Sequence, residues 1–462
     1  MTPADREACP YRYVPFQVPS GVGSIKVRYE YDPGNVLDIG LVDPDIEPFP
    51  ARRGFRGWSG SARREFFVSQ GAATPGYIAG PIQAGTWHVI LGLHQVQLQG
   101  CRYRIEVRLE EGALHSSGKL QAGQGEAASR LVTAGAPRPE PPRPVGKETE
   151  WYRGDLHAHT YHSDAKGSVE DLIASARARG LDFLAVTDHN TASHHPVLER
   201  LQEPGLLLIP GEEVTTDRGH ANVWGVNGWV DFRLLAEGDV ERLVEEVHAR
   251  GGLLSVNHPK EGGPPWQYPI PQGVDCFEAW QMLWPINNRQ ALDRYDGLLR
   301  EGRRISLVGG SDWHQPAGSE PPEEPWLQVG SPTTWLRLQE LSVPAVLDAL
   351  RRGAAFVSEG PEGPAVELWA ADAGMGEEVH WTPGTALPLQ ATVWGGQGDR
   401  LRWVGSHGIL REVTVDADPF QDRWLLEVPS SFVRLEVVWG GAAGAFERVR
   451  ALSNPIYIRL VT

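Results

Sequence analysis

The chain shows two kinds of hydrophobic pattern. In the first 120 residues, short runs such as SIKVRYEY and GTWHVILGL are rich in aromatic and β-branched residues, and Gly, Pro and Asp separate them. SIKVRYEY alternates polar and apolar positions, which is typical of a strand with one solvent-facing side. Similar runs, such as LPLQATVWG and FVRLEVVWG, return towards the C-terminus. We therefore predict one β-sandwich over residues 1–120 and a second over residues 363–462.

Between these regions, apolar strands alternate with amphipathic helices. DFLAVTDHN, LLSVNHP and RISLVGGSDWH are predicted to begin as short buried strands, whereas SVEDLIASARARG and DVERLVEEVHARGG have helical apolar spacing. Ser168 is placed to cap the first of these helices, and acidic residues follow in its first turn. This alternation predicts an α/β region with a parallel sheet or barrel over residues 151–362.

A proline-rich segment precedes the α/β region. Residues 121–150 contain PRPEPPRP and few large apolar side chains. Proline-rich sequence is locally extended and fairly stiff. We predict that this segment is a linker.

Charge and composition narrow the classes of function. The formal net charge is −16, which disfavours binding of a nucleic acid polymer over a broad basic face. The three cysteines lie far apart, so neither a disulfide framework nor a cysteine-type zinc site is expected. We find no apolar run of about 18 residues and no secretory signal pattern at the start. We expect a cytoplasmic protein with a small-molecule substrate and no membrane partner, and a homodimer as one option.

Chemically active side chains occur where the apolar strands of the central region end. In a barrel of parallel strands, the C-terminal strand ends form one face, and active sites are built there. The residues at these positions are Asp155, His157, His159, Asp188, His189, Glu212, Glu213, His220, Asn257, His258, Asp312 and His314.

The spacing of these residues predicts a metal site. His157 and His159 are two positions apart, so in an extended segment both imidazoles point to the same side. Asp312 and His314 repeat this spacing. Imidazole and carboxylate ligands suit Zn, Mn and Fe, and a carboxylate such as Glu213 can bridge two ions. Two or three such ions would polarise a substrate oxygen and produce hydroxide from water near neutral pH.

The amidohydrolase arrangement is an alternative, because it also opens with two histidines separated by one residue. That arrangement calls for a metal-bridging lysine at a strand end in the middle of the barrel. Here the corresponding position carries Glu212 and Glu213. The last strand also supplies His314, where the amidohydrolase pattern needs only Asp312.

A closer resemblance rests on six motifs that occur in order along the central region. They are GDLHAHT…SD, TDHN, PGEEVTT, GHANVWG, NHP and GGSDWH. Together they resemble the successive motifs of the PHP (polymerase and histidinol phosphatase) family over about residues 151–360. The resemblance implies a distorted (β/α)7 barrel with up to three metal ions at its C-terminal mouth, flanked here by the two predicted sandwiches.

The resemblance also implies three sets of ligands. They are His157, His159, Glu213 and Asp312 for one metal, Glu213, His220 and His258 for a second, and Asp164, His189 and His314 for a third. Asp164 stands where many family members have His, although others have Asp. Glu213 fits the motif better than Glu212.

The function that we predict is that of a metal-dependent phosphoesterase, in which a metal-bound hydroxide attacks the substrate. The flanking sandwiches, WYRGDLHAHT and the late NPIYI are similar to the carbamate-hydrolase (CehA/McbA-like) branch, so hydrolysis of a carbamate or carboxylic ester is an alternative. A non-catalytic ligand-binding protein is the alternative from another class. Loss of several ligands would favour it, and none is missing.

Other residues receive roles in this hypothesis. His220 and His314 are candidates for protonating the leaving group, and Asp188 is a candidate for orienting His189 or a neighbouring ligand. Arg218 and Lys260 are candidates for binding a phosphate group.

Three tryptophans, Trp266, Trp280 and Trp284, lie between strand ends and could line a hydrophobic pocket, although core packing is an equal option for Trp280. An aromatic wall would favour an aryl ester or a carbamate. The histidines that do not follow strands in the same way are predicted to lie at the surface or to support the ligands: His162, His194, His195 and His248.

Overall fold

The computed structural model describes most of the chain as a mixed α/β protein with more strands than helices. The described ranges are 1–111, 149–262, 264–314, 328–382, 384–441 and 447–461. Most of the predicted linker, residues 121–148, lies outside the described residues. None of the described helices is both long enough and apolar enough to cross a membrane.

The N-terminal region contains one short helix and two antiparallel sheets. Its elements are α1 (Pro3–Ala8), β1 (Tyr11–Val18), β2 (Val22–Tyr31), β3 (Val36–Val42), β4 (Phe55–Trp58), β5 (Glu65–Ser69), β6 (Gly85–Gln95) and β7 (Tyr103–Glu111). One sheet has the strand order β1-β6-β3-β4, and the other has the order β5-β2-β7. Leu37 and Ile39 of β3 belong to the core between the sheets, whereas Val42 faces the central region.

The central region alternates strands and helices, as predicted. Its elements are β8 (Glu150–Asp155), α2 (Val169–Ala178), β9 (Phe183–Val186), α3 (His195–Leu201), β10 (Leu207–Thr216), β11 (Gly219–Trp224), α4 (Asp239–Ala249), β12 (Leu253–Val256), β13 (Cys276–Gln281), α5 (Asn288–Arg300), β14 (Ser306–Gly310), β15 (Thr333–Leu338) and α6 (Val343–Arg352). Helix α2 has the predicted cap, because the Ser168 hydroxyl accepts the Asp171 N–H while the Asp171 carboxylate accepts the Ser168 N–H.

Strands β8 to β14 are neighbours in chain order within one sheet. Strand β11 pairs antiparallel with both β10 and β12, whereas the other pairs in this run are parallel. A parallel bridge between Ala158 and Trp313 then places the segment after β14 beside the segment after β8. The strand ends that carry the predicted ligands therefore converge.

The C-terminal region continues this large sheet and adds a second, smaller one. Its elements are β16 (Ala355–Ser358), β17 (Ala365–Ala370), β18 (Ala373–Gly374), β19 (Glu378–Trp381), β20 (Leu387–Trp394), β21 (Arg400–Gly405), β22 (Gly408–Thr414), β23 (Phe420–Leu426), β24 (Phe432–Val438), β25 (Val449–Ser453) and β26 (Ile456–Leu460). The large sheet runs from β8 through β15, β16, β25 and β24 to β21, so it does not break at residue 363. The smaller sheet has the order β18-β17-β20-β23.

Aromatic packing joins the N-terminal and central regions. The Phe55 ring stacks on Trp229 with centroids 4.1 Å apart, and Trp58 lies 4.8 Å from Phe232. All four side chains are buried in one core that also includes residues of β24 and β25. Stacked and edge-on aromatic pairs add to the stabilisation that their burial supplies, so this interface fixes the N-terminal sheet against the central strands.

A buried ion network joins the C-terminal and central regions. The Arg434 guanidinium on β24 is fully buried and donates to Asp296 of α5 at 2.8 Å and to Glu436 at 2.9 Å. Arg289 of α5 pairs with the same Glu436 at 3.0 Å. Buried charges of this kind are strongly destabilising when one partner is removed.

We predict that Arg434→Met lowers the free energy of unfolding by about 3 to 5 kcal/mol, because it leaves buried carboxylates without their main cation. Arg352→Met is the control, because Arg352 pairs with Asp348 on the exposed surface, where such pairs contribute at most about 1 kcal/mol. Urea unfolding followed by tryptophan fluorescence measures both. Equal effects of the two substitutions would contradict the structural role of this network.

Candidate metal centre

The Glu213 carboxylate lies at the centre of a cluster of histidines. Its Oε1 atom is 3.2 Å from His220 Nδ1, 3.2 Å from His258 Nε2 and 3.3 Å from His157 Nε2. Its Oε2 atom is 2.8 Å from His189 Nδ1. The side chain is 1% exposed, so this negative charge is almost wholly shielded from water. One carboxylate on β10 thus contacts imidazoles that four other segments supply.

Two further carboxylates extend the cluster. Asp312 Oδ1 lies 3.0 Å from His159 Nε2 and 3.4 Å from His157 Nε2. Asp164 Oδ1 lies 3.2 Å from His314 Nε2 and 3.6 Å from His189 Nε2.

The structure thus brings together all nine side chains that the sequence nominates as ligands. Four overlapping groups each hold potential ligand atoms within 4.8 Å of one another: His157, His159 and Asp312; His157, Glu213 and His258; His189, Glu213 and His220; and His159, Asp164, His189 and His314.

The backbone at the strand ends is unusual where it presents these ligands. His258 and Asp312 have φ values of 24° and 50°, a left-handed region that non-glycine residues rarely adopt. Hydrogen bonds hold both, because the Asp312 N–H donates to the His157 carbonyl and the His258 N–H donates to Glu278. Gly310 allows the close approach of β14, because a Cβ there would lie 2.4 Å from the His157 Cβ. Strained backbone of this kind clusters at functional sites.

Glu278 is a supporting residue that the sequence analysis missed. Its Oε1 atom lies 2.8 Å from His157 Nδ1, and its Oε2 atom accepts the His258 N–H at 2.9 Å. One carboxylate therefore orients two of the predicted ligands. A carboxylate is a usual outer partner of a metal-binding imidazole. The sequence feature that could have identified it is an acidic residue within the otherwise apolar run CFEAW. This run lies in β13, which is buried throughout.

Other polar side chains hold the remaining ligands. Asn257 donates to Glu213 Oε1 at 2.9 Å, Gln281 donates to Asp312 Oδ2 at 2.7 Å, and Thr215 Oγ1 lies 2.6 Å from His189 Nδ1.

Asp188 holds a loop instead of an imidazole of the cluster. Its carboxylate accepts the Thr160 N–H at 2.8 Å and the Ser163 hydroxyl at 2.6 Å, and it lies 3.3 Å from His194 Nδ1. The loop that follows β8 carries Asp164, so Asp188 positions this ligand. The structure shows no contact between its carboxylate and the His189 ring.

The four other histidines of the central region, His162, His194, His195 and His248, differ in their burial. His162, His194 and His195 are buried, so a surface position is wrong for them. The reason is that their loops pack beneath the N-terminal region and against strand ends: His194 and His195 both contact the Gly211 carbonyl. His248 is partly exposed and pairs with Asp275 at 2.9 Å.

Burial and neighbouring charges shift the pKa values of the cluster in opposite directions. Burial acts to lower the pKa of His157, but Glu278, Asp312 and Glu213 outweigh it and raise the pKa well above its ordinary value. Burial likewise opposes a rise at His189, where Asp164 and Glu213 bring the pKa to about 10. Burial, together with the neighbouring His314 and His189, lowers the pKa of His159 to about 4. The carboxylates therefore favour protonated His157 and His189, whereas His159 is favoured in its neutral form.

The donor atoms fit bound cations. Four buried ring nitrogens make no hydrogen bond of acceptable geometry with the described residues: His157 Nε2, His159 Nδ1, His159 Nε2 and His258 Nδ1. Two of them, His157 Nε2 and His159 Nε2, nevertheless lie 3.0 to 3.4 Å from carboxylate oxygens of Glu213 or Asp312. Buried polar atoms without partners are rare and call for an explanation such as an ion. Nitrogen and carboxylate oxygen donors match divalent transition metals. The cluster is therefore a site suited to several metal ions.

A cavity of about 860 Å³ opens onto this cluster. The central region contributes Asp164, His189 and His220 to its wall, and the N-terminal region contributes Tyr11 and Trp58.

The candidate substrate-binding residues lie in different places. Arg218 lines the cavity, with its guanidinium 4.3 Å from the centre of the Tyr268 ring. Lys260 is buried and donates to Asn288 Oδ1 at 2.6 Å and to the Gln281 carbonyl at 3.2 Å. Lys260 is not among the residues that line the cavity.

The three tryptophans Trp266, Trp280 and Trp284 do not line this cavity. All three are buried in the large core, because the segments between the strand ends fold back onto the central and N-terminal regions. The aromatic residues that line the cavity are Tyr11, Trp58 and Tyr268.

Comparison with known proteins agrees with the kind of site that the geometry defines. Residues 155–259 match the family model described as PHP domain. The matched segment contains seven of the nine nominated ligands. Asp312 and His314 follow it.

Individual relatives cover different shares of the chain. An uncharacterised protein of Methanocaldococcus jannaschii is 27% identical over 154 residues, which are 29% of this chain and 87% of that protein. The 5'-3' exoribonuclease Rnm of Salmonella typhimurium is 34% identical over 107 residues, 22% of this chain, and the match spans only 36% of that enzyme. A two-domain protein of Bacteroides vulgatus, described as containing a predicted PHP-like metal-dependent phosphoesterase, is 16% identical with a TM-score of 0.40 over 69% of this chain and 100% of that chain.

We predict that Glu213→Gln lowers metal affinity by more than about 100-fold, because the charged carboxylate shared by several imidazoles is lost. Loss of a group that only supports a ligand typically lowers metal affinity by about 10- to 100-fold. Glu212→Gln is the matched control. Its carboxylate accepts the Val230 N–H at 2.8 Å away from the cluster, and burial raises its pKa well above the ordinary value. Elemental analysis of the purified variants measures the difference. Loss of metal from the Glu212 variant alone would reverse the assignment.

We also predict that Glu278→Gln weakens metal binding by about 10- to 100-fold, because His157 and His258 lose the carboxylate that orients them. Competition with a chromogenic chelator measures this affinity. Glu367→Gln, a change of the same kind at a residue of β17 far from the cluster, serves as control. Unchanged affinity in the Glu278 variant would show that the carboxylate is not an outer partner of the metals.

Proposed function

We propose that the protein is a metal-dependent phosphoesterase, and that strands β8 to β14 with their helices are a distorted (β/α)7 barrel of the PHP type between two β-sandwich domains. The observation that carries this proposal is the Glu213 carboxylate shared by imidazoles at the floor of a cavity. The match of residues 155–259 to the PHP domain supports the same class.

We assign the ligands of three divalent ions, of Zn, Mn or Fe type, to overlapping sets. The first set is His157, His159, Glu213 and Asp312; the second is Glu213, His220 and His258; and the third is Asp164, His189 and His314. Each set contains carboxylate–imidazole distances between 3.0 and 3.6 Å, which support the assignment. The groups of donor atoms within 4.8 Å cut across the first two sets, because His258 groups with His157 and Glu213, and His189 groups with Glu213 and His220. The third set is the most open to solvent, because the Asp164 side chain is 48% exposed and the His314 side chain is 35% exposed.

Divalent ions bound here would act as Lewis acids on the substrate and lower the pKa of a water molecule that serves as nucleophile. The protein side chains supply the rest. Arg218 lies at the cavity wall and is placed to bind a phosphate oxygen. Lys260, which does not line the cavity, places a positive charge behind Glu278 and Asp312, and burial lowers its pKa to about 8 against their attraction.

Proton transfer to the leaving group is assigned to His220 or His314. His220 lines the cavity, and its side chain is 13% exposed. Burial lowers the pKa of His220, although the adjacent Glu213 opposes the shift. Asp188 contributes indirectly, because it fixes the loop that carries Asp164.

A phosphate ester of small size is the substrate class that we favour. The Salmonella relative is named for cleavage of a phosphodiester polymer, which supports phosphoryl chemistry. The net charge of −16 and the N-terminal wall of the cavity favour a small molecule over a polymer here.

Hydrolysis of a carbamate or carboxylic ester, as in the CehA/McbA-like branch, is the second candidate. The aromatic lining by Tyr11, Trp58 and Tyr268 favours it, because an aryl leaving group would pack there. A non-catalytic binding protein is disfavoured, since every nominated ligand lies in the cluster. A homodimer and a cytoplasmic location stay predictions.

We predict that His157→Ala combined with His159→Ala lowers both bound metal and turnover by more than about 100-fold, because two buried ligands are removed together. Release of 4-nitrophenol from bis(4-nitrophenyl) phosphate and from a 4-nitrophenyl carbamate, measured side by side, separates the two candidate activities. His248→Ala, at a partly exposed helix position, is the control. Full activity in the double variant would end the proposal.

A further inference from the structure

The cavity wall opposite the candidate metal centre belongs to the N-terminal sheet. The outer face of sheet β1-β6-β3-β4 packs against the central region through Val42, Trp58 and Ile90. Within this face, Asp38 and His94 border the cavity. Any substrate whose reacting bond reaches the metals therefore presents its remaining part to the N-terminal region.

Most charged groups on this wall neutralise one another. Asp217, at the turn between β10 and β11, lies 2.6 Å from His94 Nδ1 and 2.7 Å from Arg6 Nη2. The Arg218 guanidinium packs on the Tyr268 ring and keeps its charge at the cavity wall. His94 and Arg6 are thus already paired with a carboxylate other than Asp38.

Asp38 is the exception. It pairs with Gly92 across β3 and β6, and the alternation of side chains along β3 places it on the outer face, opposite in direction to Leu37 and Ile39. Among the described residues, no hydrogen bond or ion pair involves its carboxylate. Burial raises its pKa to about 6, with His94 and His189 opposing the shift and Asp217 adding to it. The carboxylate therefore feels nearby imidazoles but has no directly bonded partner among the described residues.

Aromatic rings surround the same position. A Cβ at Gly92 would lie 2.9 Å from the Trp58 ring and 3.1 Å from the Asp38 Cβ, so Trp58 and Asp38 are immediate neighbours. Tyr11 packs against Trp58 with centroids 6.4 Å apart, and both line the cavity. An unpaired carboxylate beside aromatic faces is an arrangement that recognises an organic ammonium group, because both charge and ring quadrupole attract a cation.

We propose that Asp38, with Trp58 and Tyr11, binds an ammonium group on the non-reacting part of the substrate. The substrate class is then a small aminoalkyl phosphate ester whose phosphate reaches the metals while its amine reaches the N-terminal sheet. This inference deepens the proposed function and rests on it. It also gives the N-terminal region a role in specificity.

The test uses binding, so that it does not depend on turnover. Full-length metal-loaded protein is titrated calorimetrically with alkylphosphonates and with ω-aminoalkylphosphonates of two to six carbons. At the matching chain length, the wild type is expected to bind the amine about tenfold or more tightly than the alkyl compound, as expected for a desolvated charge pair. Asp38→Asn, which is nearly isosteric, should remove this preference. Asp372→Asn, at an exposed position on the C-terminal region, should retain it.

Two results would overturn the assignment of Asp38. One is a wild type without preference for the amine at any chain length. The other is a preference that persists in the Asp38→Asn variant. Wild-type turnover of bis(4-nitrophenyl) phosphate is measured in parallel. A wild type that turns over the phosphodiester but shows no amine preference refutes the inference alone. A wild type whose amine preference depends on Asp38 but that shows no phosphoester turnover refutes the proposed function alone.

Discussion

The buried negative charge of the Glu213 carboxylate is the feature on which the arrangement of the cluster depends. A charge this deeply buried is costly unless positive charge surrounds it. Histidines from four segments converge on it. Glu278 holds His157 and His258, Thr215 contacts His189, and Asn257 donates to the Glu213 carboxylate itself. The left-handed backbone at His258 and Asp312 is part of the same arrangement, because it turns each ligand inward at the end of its strand.

Much of this arrangement could be predicted from sequence because strand ends are local features. The apolar runs locate the strands, and the polar residues that follow the parallel strands are carried to the same face by their pairing. His220 reaches that face from the beginning of β11, because this strand is antiparallel to both of its neighbours. The pair Glu212 and Glu213 shows why this works, since adjacent residues in a strand point to opposite sides. Glu213 contacts five histidines, while Glu212 contacts the Val230 amide.

Other features could not be predicted, because they depend on contacts between distant segments. Glu278 lies in the middle of β13, whereas His157 follows β8, which does not pair with β13, so only the folded structure shows that the two side chains meet. Lys260 follows a motif in a loop, but its burial depends on Asn288 of α5. The three tryptophans fill the core because the N-terminal sheet packs over the central region, and sequence alone does not show that packing. The cavity lining by Asp38 has the same origin.

The continuity of the large sheet has a consequence for synthesis of the chain. Strand β16 pairs with β25, and Phe356 lies opposite Ser453, so nearly a hundred residues separate the partners in sequence. While the ribosome adds those residues, the edge of β16 offers unpaired N–H and C=O groups to any passing strand. All nine nominated ligands, the last of which is His314, are therefore synthesised before β25. The free edge of β16 is covered only when β25 pairs with it. Nascent chains that stall in this interval carry an open edge that invites aggregation.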